Sequence, residues 1–147
     1  MAERYYPVVI QTFSEIIREG YVYIDKTDLM WHMQYKCKYI FLSRPRRFGK
    51  SLLSSTLHSF FEGSKELFAG LKVMSLENEW TTYPVIHLDL SSAKGKTSAK
   101  ELEKALQWIL QPYCDIYGSD SKEDTPGKTI VGLITRAHRQ TGSHHHR

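Results

Sequence analysis

The sequence predicts an α/β layered fold in which a mostly parallel sheet is flanked by helices. Residues 39–42 (Tyr-Ile-Phe-Leu) form a continuous apolar run of strand length, and residues 84–89 are a second candidate for a buried strand. Continuous rather than alternating apolarity is typical of a strand that is covered on both faces. Apolar residues at helical spacing follow each run. The order strand, helix, strand, helix therefore favours helices packed on a parallel sheet.

Capping signals and spacing predict the other elements in the N-terminal half. Thr12 to Glu15 resembles a capping box, and Gly20 ends the short helix that it opens. Residues 21–24 are β-branched and aromatic, which predicts a short strand, and helical spacing runs from residue 29 to about residue 36. After the apolar run at 39–42 comes a basic loop over residues 43–50, and then a helix that ends at Gly63.

The C-terminal half contains the clearest helical signal. Residues 66–82 are mixed, and we expect short elements there that place several apolar side chains in the core: Leu67, Phe68, Leu71, Val73 and Leu76. Ser98 to Glu101 is a second capping box, and it opens a helix with one apolar face. Residues 118–127 are polar, and a last helix is predicted over residues 128–139.

Composition excludes several classes of protein. Of 147 residues, 41% are hydrophobic and 24% are charged, which is close to the globular average and disfavours general disorder. Two cysteines, Cys37 and Cys114, are too few for a disulfide scaffold and fit a reduced, cytoplasmic protein. The first residues lack the apolar run of a signal peptide, and no stretch reaches the ~20 apolar residues of a membrane helix. We therefore expect neither secretion nor a membrane partner.

The charge is uneven along the chain. Between residues 29 and 61 there is no acidic residue but a charge of +6, so the rest of the chain carries −2 against a total of +4. The cations are Lys36, Lys38, Arg44, Arg46, Arg47 and Lys50. A cluster as dense as residues 44–50 repels itself unless water screens it or an anion lies nearby. It is either a solvated basic loop or a phosphate site for a nucleotide or a nucleic acid.

The basic loop carries most of a phosphate-binding (Walker A) pattern. Gly49, Lys50 and Ser51 match the end of Gly-x-x-x-x-Gly-Lys-Ser/Thr, while Arg44 stands at the first glycine. In this pattern, backbone amides and a helix N-terminus surround a phosphate, the lysine neutralises the outer phosphates, and the hydroxyl binds Mg²⁺. The predicted cofactors are therefore ATP and Mg²⁺, with Lys50 catalytic and Ser51 the metal ligand. The predicted nucleotide-binding residues are Arg46, Arg47, Phe48, Gly49, Lys50, Ser51 and Leu52.

Four segments together resemble a known family. The strings at residues 6–13, 21–27, 41–52 and 83–91 look like the AAA-ATPase-like family of bacterial P-loop proteins. In that family an arginine at the first glycine position is normal, whereas Val9 stands where glycine is expected. The resemblance spans residues 5–142 and implies an incomplete P-loop NTPase-type fold. Many members carry a restriction-endonuclease-like domain, so the resemblance also implies a nucleic-acid partner through a domain absent from this chain.

The resemblance further implies that residues 1–142 are the N-terminal portion of an ATPase domain, cut before its acidic second motif. We therefore expect nucleotide binding without hydrolysis by this chain alone. Asp89 is a rival metal ligand or a polar residue at a strand end, and Asp25 with Lys26 is a nucleotide contact or a capping turn. We interpret residues 143–147, with three histidines, as a tail or tag remnant, and we expect self-association through an exposed sheet edge.

The remaining polar and aromatic candidates have ordinary interpretations. We expect His87 to be a core group with its hydrogen bonds satisfied, and no spacing pairs His32 with His58 as metal ligands. The two cysteines are expected to be buried apolar residues. Trp108 and Tyr113 are expected to pack in the core or at its rim. The alternative function is a nucleic-acid-binding module that uses the cluster from Arg44 to Lys50.

Overall fold

The computed structural model describes residues 5–36, 38–120 and 124–142, which belong to two compact units. Unit 1 is Met1–Val85 and unit 2 is Ile86–Arg147. The predicted tail at residues 143–147 and the predicted burial of Cys37 lie outside the described residues.

The described part of unit 1 contains three α-helices and two 3₁₀ turns. Helix α1 spans Phe13–Arg18, α2 spans Thr27–Lys36 and α3 spans Lys50–Phe61. The 3₁₀ turns span Lys65–Phe68 and Lys72–Ser75. The helices predicted to end near Gly20, near residue 36 and at Gly63 are confirmed, because the spacing of their apolar residues is enough to define them. The capping box predicted at Thr12 to Glu15 is wrong, since the Thr12 side chain makes no capping hydrogen bond.

An aromatic cluster around Phe68 forms the core of unit 1. The Phe68 side chain is 0% exposed. Its ring centroid lies 4.8 Å from that of Phe13 in α1, 5.9 Å from that of Phe60 in α3 and 5.3 Å from that of Trp80. Burial of large aromatic rings in contact with one another is a major stabilising term. The cluster therefore holds α1, α3 and the 3₁₀ segment together, and the predicted core role of Phe68 is confirmed.

Unit 2 is built on two amphipathic helices. Helix α4 spans Ala99–Tyr117 and α5 spans Pro126–Gly142, and a 3₁₀ turn at Leu90–Ala93 precedes them. The predicted capping box is present: the Ser98 hydroxyl accepts from the Glu101 amide, and the Glu101 carboxylate accepts from the Ser98 amide. The buried apolar side chains of this unit come from both helices and are Leu110, Leu133 and Ala137.

The predicted parallel sheet is wrong. The described residues are 56% helical and contain no strand, so residues 21–24, 39–42 and 84–89 are irregular. Tyr39 is 85% exposed and Phe41 is 92% exposed, while Leu42 is half-buried, so this apolar run is not covered on both faces. A strand needs a neighbour that completes its backbone hydrogen bonds, and an apolar run does not encode that neighbour. We expected self-association through an exposed sheet edge, but the described part of the chain contains no sheet and therefore no such edge.

Two phenylalanines distinguish the observed fold from the predicted sheet. Phe68→Ala removes a fully buried ring, and we expect it to lower the free energy of unfolding by about 3–5 kcal/mol. Phe41→Ala truncates an exposed ring, and we expect a change within about 0.5 kcal/mol. Urea denaturation followed by circular dichroism measures both. A large loss of stability in Phe41→Ala would indicate a buried strand at residues 39–42 and contradict this fold.

Candidate phosphate-binding loop

The basic loop turns sharply before α3 begins. Gly49 is the N-cap of α3 and has a φ of 75°, and Arg47 has a φ of 65°. Glycine adopts this left-handed conformation freely, whereas a residue with a side chain loses roughly 1–2 kcal/mol there. A Cβ added at Gly49 would meet no atom within 4 Å. The backbone conformation at position 49 therefore favours glycine, and lack of space does not, while Arg47 adopts the same left-handed region at a cost in strain.

The first amides of α3 are left open. The first backbone hydrogen bond at this end joins the Leu53 amide to the Gly49 carbonyl at 2.9 Å. The amides of residues 50–52 have no acceptor in the described part of the chain, and neither a capping side chain nor an acidic residue lies in the first turn. Unpaired amides and the positive end of the helix dipole together favour an anion.

The Lys50 side chain closes the loop. Its Nζ donates to the Arg44 carbonyl at 2.5 Å and to the Pro45 carbonyl at 2.8 Å. An ammonium group has three hydrogens, so these two bonds leave one for a ligand. The lysine thus joins the two ends of the loop and keeps a positive charge beside the open amides.

The other predicted site residues lie on the same loop and on the first turn of α3. Arg46, Arg47 and Ser51 are exposed, and Phe48 is 63% exposed. Leu52 is half-buried and packs against the core cluster. No described carboxylate forms an ion pair with the arginines of the loop. The loop therefore presents uncompensated positive charge to solvent.

A cavity of about 380 Å³ adjoins the loop within unit 1, and we call it the loop cavity. Arg44, Phe48 and Gly49 form its wall on the loop side. Most of the remaining wall is apolar and includes Met30 and Met33 of α2. Lys26 also lines it, and no described carboxylate does. The sequence predicted a helix at residues 29–36 from its spacing, but it carried no signal that this helix borders the loop.

Asp25 ties two segments of unit 1 together. Its Oδ1 accepts from the Thr27 amide at 2.9 Å and the Thr27 hydroxyl at 2.7 Å, and its Oδ2 accepts from the Lys72 amide at 2.7 Å. The Thr27 hydroxyl in turn accepts from the Val73 amide at 3.1 Å. Burial alone would raise the pKa of Asp25, but these hydrogen bonds outweigh it and lower that pKa below its ordinary value. Of the two interpretations of Asp25, the contacts fit the capping turn.

Val9 occupies the position where the family resemblance led us to expect glycine. Its φ is 70° and its side chain is 87% exposed. A β-branched residue is strained in this left-handed region, whereas glycine is not. The expectation of glycine at this position therefore has a conformational basis, and the departure affects a local turn.

The remaining candidates do not form a metal centre in the residues that the structure covers. Asp89 caps the 3₁₀ turn of unit 2 by accepting from the Ser91 amide at 2.9 Å, and this hydrogen bond lowers the pKa of Asp89. His58 pairs with Glu62 at 3.2 Å, and the Tyr113 hydroxyl bonds both the amide and the carbonyl of His87.

Two residues that were predicted to lie in the core, or at its rim in the case of Trp108, are exposed. His87 is exposed and is not a core group, because the segment around it forms no strand with covered faces. Trp108 is exposed on α4, because it lies outside the apolar face of that helix. His32 is exposed, and Cys114 is half-buried.

Comparison with known proteins identifies the family. The sequence profile of the family described as Predicted AAA-ATPase matches residues 7–145. The chain therefore belongs to the predicted AAA-ATPase family, and this membership implies nucleotide use in general.

A relative from Azotobacter chroococcum mcd 1, named "Uncharacterized protein in vnfD 5'region", is 38% identical over 112 residues. The match covers 75% of this chain and 21% of that protein, so the chain spans about a fifth of the relative's length. No solved structure gives a significant match. Among the described helices, none is both long enough and apolar enough to cross a bilayer.

The lowered pKa of Asp25 predicts a pH-dependent contribution to stability. A carboxyl group whose pKa is lower in the folded state stabilises the fold above its unfolded value of 3.8, and this contribution is lost as the pH falls through the folded pKa. We expect Asp25→Asn to be less stable than the wild type at neutral pH, and we expect the difference to shrink below pH 3.8. Urea unfolding across this pH range measures the effect.

Glu103→Gln is the control, because Glu103 is an exposed carboxylate that belongs to unit 2, whereas Asp25 belongs to unit 1. This variant should follow the wild-type curve. A constant stability difference between Asp25→Asn and the wild type at all pH values would contradict the role of the ionised carboxylate.

Proposed function

We propose that this chain binds a nucleoside triphosphate, with the phosphates held by the loop and the first turn of α3. The observation that carries the proposal is the set of open amides at residues 50–52 beside the Lys50 ammonium, which keeps one hydrogen for a ligand. Membership in the predicted AAA-ATPase family supports a nucleotide as the anion. The side chains of Arg46 and Arg47 are exposed beside these amides and would add positive charge.

The loop cavity supports a nucleotide rather than a free phosphate. Its volume of about 380 Å³ lies within the range of roughly 300–1,000 Å³ typical of small-molecule sites. Its mostly apolar wall suits an aromatic base, and Phe48 and Gly49 belong both to this wall and to the loop. In the proposed complex the base and sugar occupy the loop cavity, while the phosphates lie at the start of α3.

The residues present also fit a magnesium ion. Ser51 places a hydroxyl on the first turn of α3, beside the proposed phosphate position, and Leu52 contributes an amide there. Bound Mg²⁺ would neutralise charge on the phosphate oxygens. Hydrolysis requires, in addition, an acidic group near the metal, and no described carboxylate lines the loop cavity. The proposal is therefore one of binding.

Nucleic-acid binding by the same loop is the second candidate. It is favoured by the exposed Arg44, Arg46 and Arg47, which no described carboxylate pairs. The backbone phosphates of a nucleic acid would contact these side chains, whereas a nucleotide would also occupy the loop cavity. The two candidates differ in their response to salt. For duplex DNA, a plot of the logarithm of the binding constant against the logarithm of the salt concentration has a slope of about −0.9 for each phosphate neutralised.

Removal of the Lys50 ammonium tests the nucleotide proposal. We expect Lys50→Ala to weaken MgATP binding by about 1.5–3 kcal/mol, or roughly tenfold to a hundredfold, because a hydrogen bond to a charged group is lost. Isothermal titration calorimetry measures both affinities. Lys36→Ala is the matched control, because Lys36 belongs to the same acid-free stretch but ends α2 outside the loop. It should bind MgATP as the wild type does.

Equal affinities of wild type and Lys50→Ala for MgATP would refute the proposal. If, in addition, the wild type binds duplex DNA with an affinity that falls steeply with salt, nucleic-acid binding replaces the nucleotide proposal. Circular dichroism confirms that each variant is folded.

The metal role of Ser51 predicts a specific loss. The wild type should bind ATP more tightly with Mg²⁺ than with EDTA, because the ion joins the Ser51 hydroxyl to the phosphates. In Ser51→Ala we expect this difference to shrink, while binding of ATP without the metal changes little. Titrations of both proteins with and without Mg²⁺ measure it. An unchanged Mg²⁺ effect in Ser51→Ala would show that the hydroxyl does not bind the metal.

A further inference from the structure

Unit 1 contains a second cavity of about 220 Å³ at the C-terminal end of α3, and we call it the aromatic cavity. It shares no lining residue with the loop cavity. Five aromatic side chains line it: Tyr35, Phe60, Phe61, Trp80 and Tyr83. Its volume is below the roughly 300 Å³ at which drug-sized sites begin, so it suits one side chain or a small molecule rather than a nucleotide.

The described residues give the aromatic cavity a negative charge. Among them, the charged lining residues are Glu77 and Glu79, and neither Lys nor Arg lines it. The whole chain, in contrast, has a charge of +4. Helix α3 ends at Phe61 in the cavity wall, and the C-terminal end of a helix carries partial negative charge. The environment therefore favours a cation.

The Glu77 carboxylate is held in the ionised form. Its Oε2 accepts from the Trp31 indole at 3.1 Å and the Tyr35 hydroxyl at 3.3 Å, and its Oε1 accepts from the Glu79 amide at 3.1 Å. Burial would raise the pKa of Glu77, but these hydrogen bonds lower it. Burial and the negative charges of Glu77 and Glu79 raise the pKa of Tyr35. The two carboxylates thus act together on this wall.

The wall that carries Trp80 is held firmly. Trp80 has a φ of 41°, and its buried indole nitrogen has no acceptor among the described residues. Both features are unfavourable, and they persist only where surrounding contacts fix the chain. The Tyr83 amide donates to the Phe61 carbonyl at 2.7 Å. The backbone at Gly63 also packs closely against Thr82, since an added Cβ at Gly63 would lie 2.6 Å from the Thr82 hydroxyl oxygen. The cavity is therefore a preformed feature of the fold.

We propose that the aromatic cavity binds a guanidinium group. A guanidinium is planar and weakly hydrated, so it stacks on aromatic rings more readily than an ammonium group does, and its parallel N–H donors match a carboxylate. Glu79 is exposed and its carboxylate has no partner among the described residues, so it is the acceptor for the guanidinium, while Glu77 adds its negative charge. The guanidinium comes either from a small molecule or from an arginine side chain of a peptide.

Titration with two probes distinguishes these sources by their relative affinities: equal affinity for both indicates recognition of the free group, and tighter binding of the arginine amide indicates a peptide. Ethylguanidinium represents the free group, and N-acetyl-arginine amide represents the side chain in a peptide. We follow the tryptophan indole N–H signals by NMR in the full chain, since Trp31 and Trp80 border the site. Binding of both probes supports the guanidinium site, and binding of the arginine amide alone supports a peptide. Binding of neither probe, or equal binding of ethylammonium, overturns the proposal.

Glu79→Gln is the test variant, because the side chain is exposed and the change keeps its shape. We expect it to weaken guanidinium binding by about three- to fivefold, as expected for the loss of a partly exposed charge pair. Glu103→Gln makes the same change of net charge in unit 2 and should bind as the wild type does. Equal weakening in both variants would indicate non-specific attraction and overturn the proposal. MgATP affinity should be unchanged in Glu79→Gln, so the two proposals fail separately.

Discussion

Aromatic packing at the C-terminal half of α3 is the constraint on which the rest of unit 1 depends. Phe60 lies against Phe68, and Phe68 lies against Phe13 of α1. The Phe13 amide also donates to the Ser55 hydroxyl of α3 at 2.9 Å. Because these contacts fix the middle and the end of α3, its first turn does not need a capping side chain for stability. The helix can keep amides 50–52 open, and open amides are what a phosphate requires.

The two ends of α3 differ in charge as well as in packing. Its first turn follows Arg46 and Arg47 and contains no acidic residue, whereas its last turn borders Glu77 and Glu79. The helix dipole has the same signs at the two ends as these side-chain charges, because it is positive at Lys50 and negative at Phe61. Side-chain charge and backbone dipole therefore reinforce each other at each end. This arrangement favours an anion at the loop and a cation at the aromatic cavity, and the twelve-residue helix keeps the two apart.

The sequence predicted most features that depend on neighbouring residues, but not the absence of a side-chain cap at Thr12. It missed the exposure of the apolar run and the walls of the cavities, which depend on distant residues. The capping box at Ser98 and Glu101 needs only residues within one turn, and it is present. The apolar run at residues 39–42 was expected to be a buried strand, but burial requires layers from other parts of the chain, and Phe41 is exposed. The aromatic cavity escaped prediction for the same reason, since its walls come from α2, α3 and the segment around Trp80.

The loop explains why an arginine at the first position of the phosphate-binding pattern is compatible with its geometry. Arg44 contributes its backbone carbonyl, which accepts from Lys50, and its side chain is exposed. Among the described residues, those with side chains and a positive φ are Val9, Arg47 and Trp80, so position 44 does not need glycine. Pro45 has no backbone N–H, and its carbonyl likewise accepts a hydrogen bond from Lys50. Position 49 is different, because its φ of 75° is left-handed and it begins α3. The two glycine positions of the pattern therefore differ, because only the second lies in the left-handed region that favours glycine.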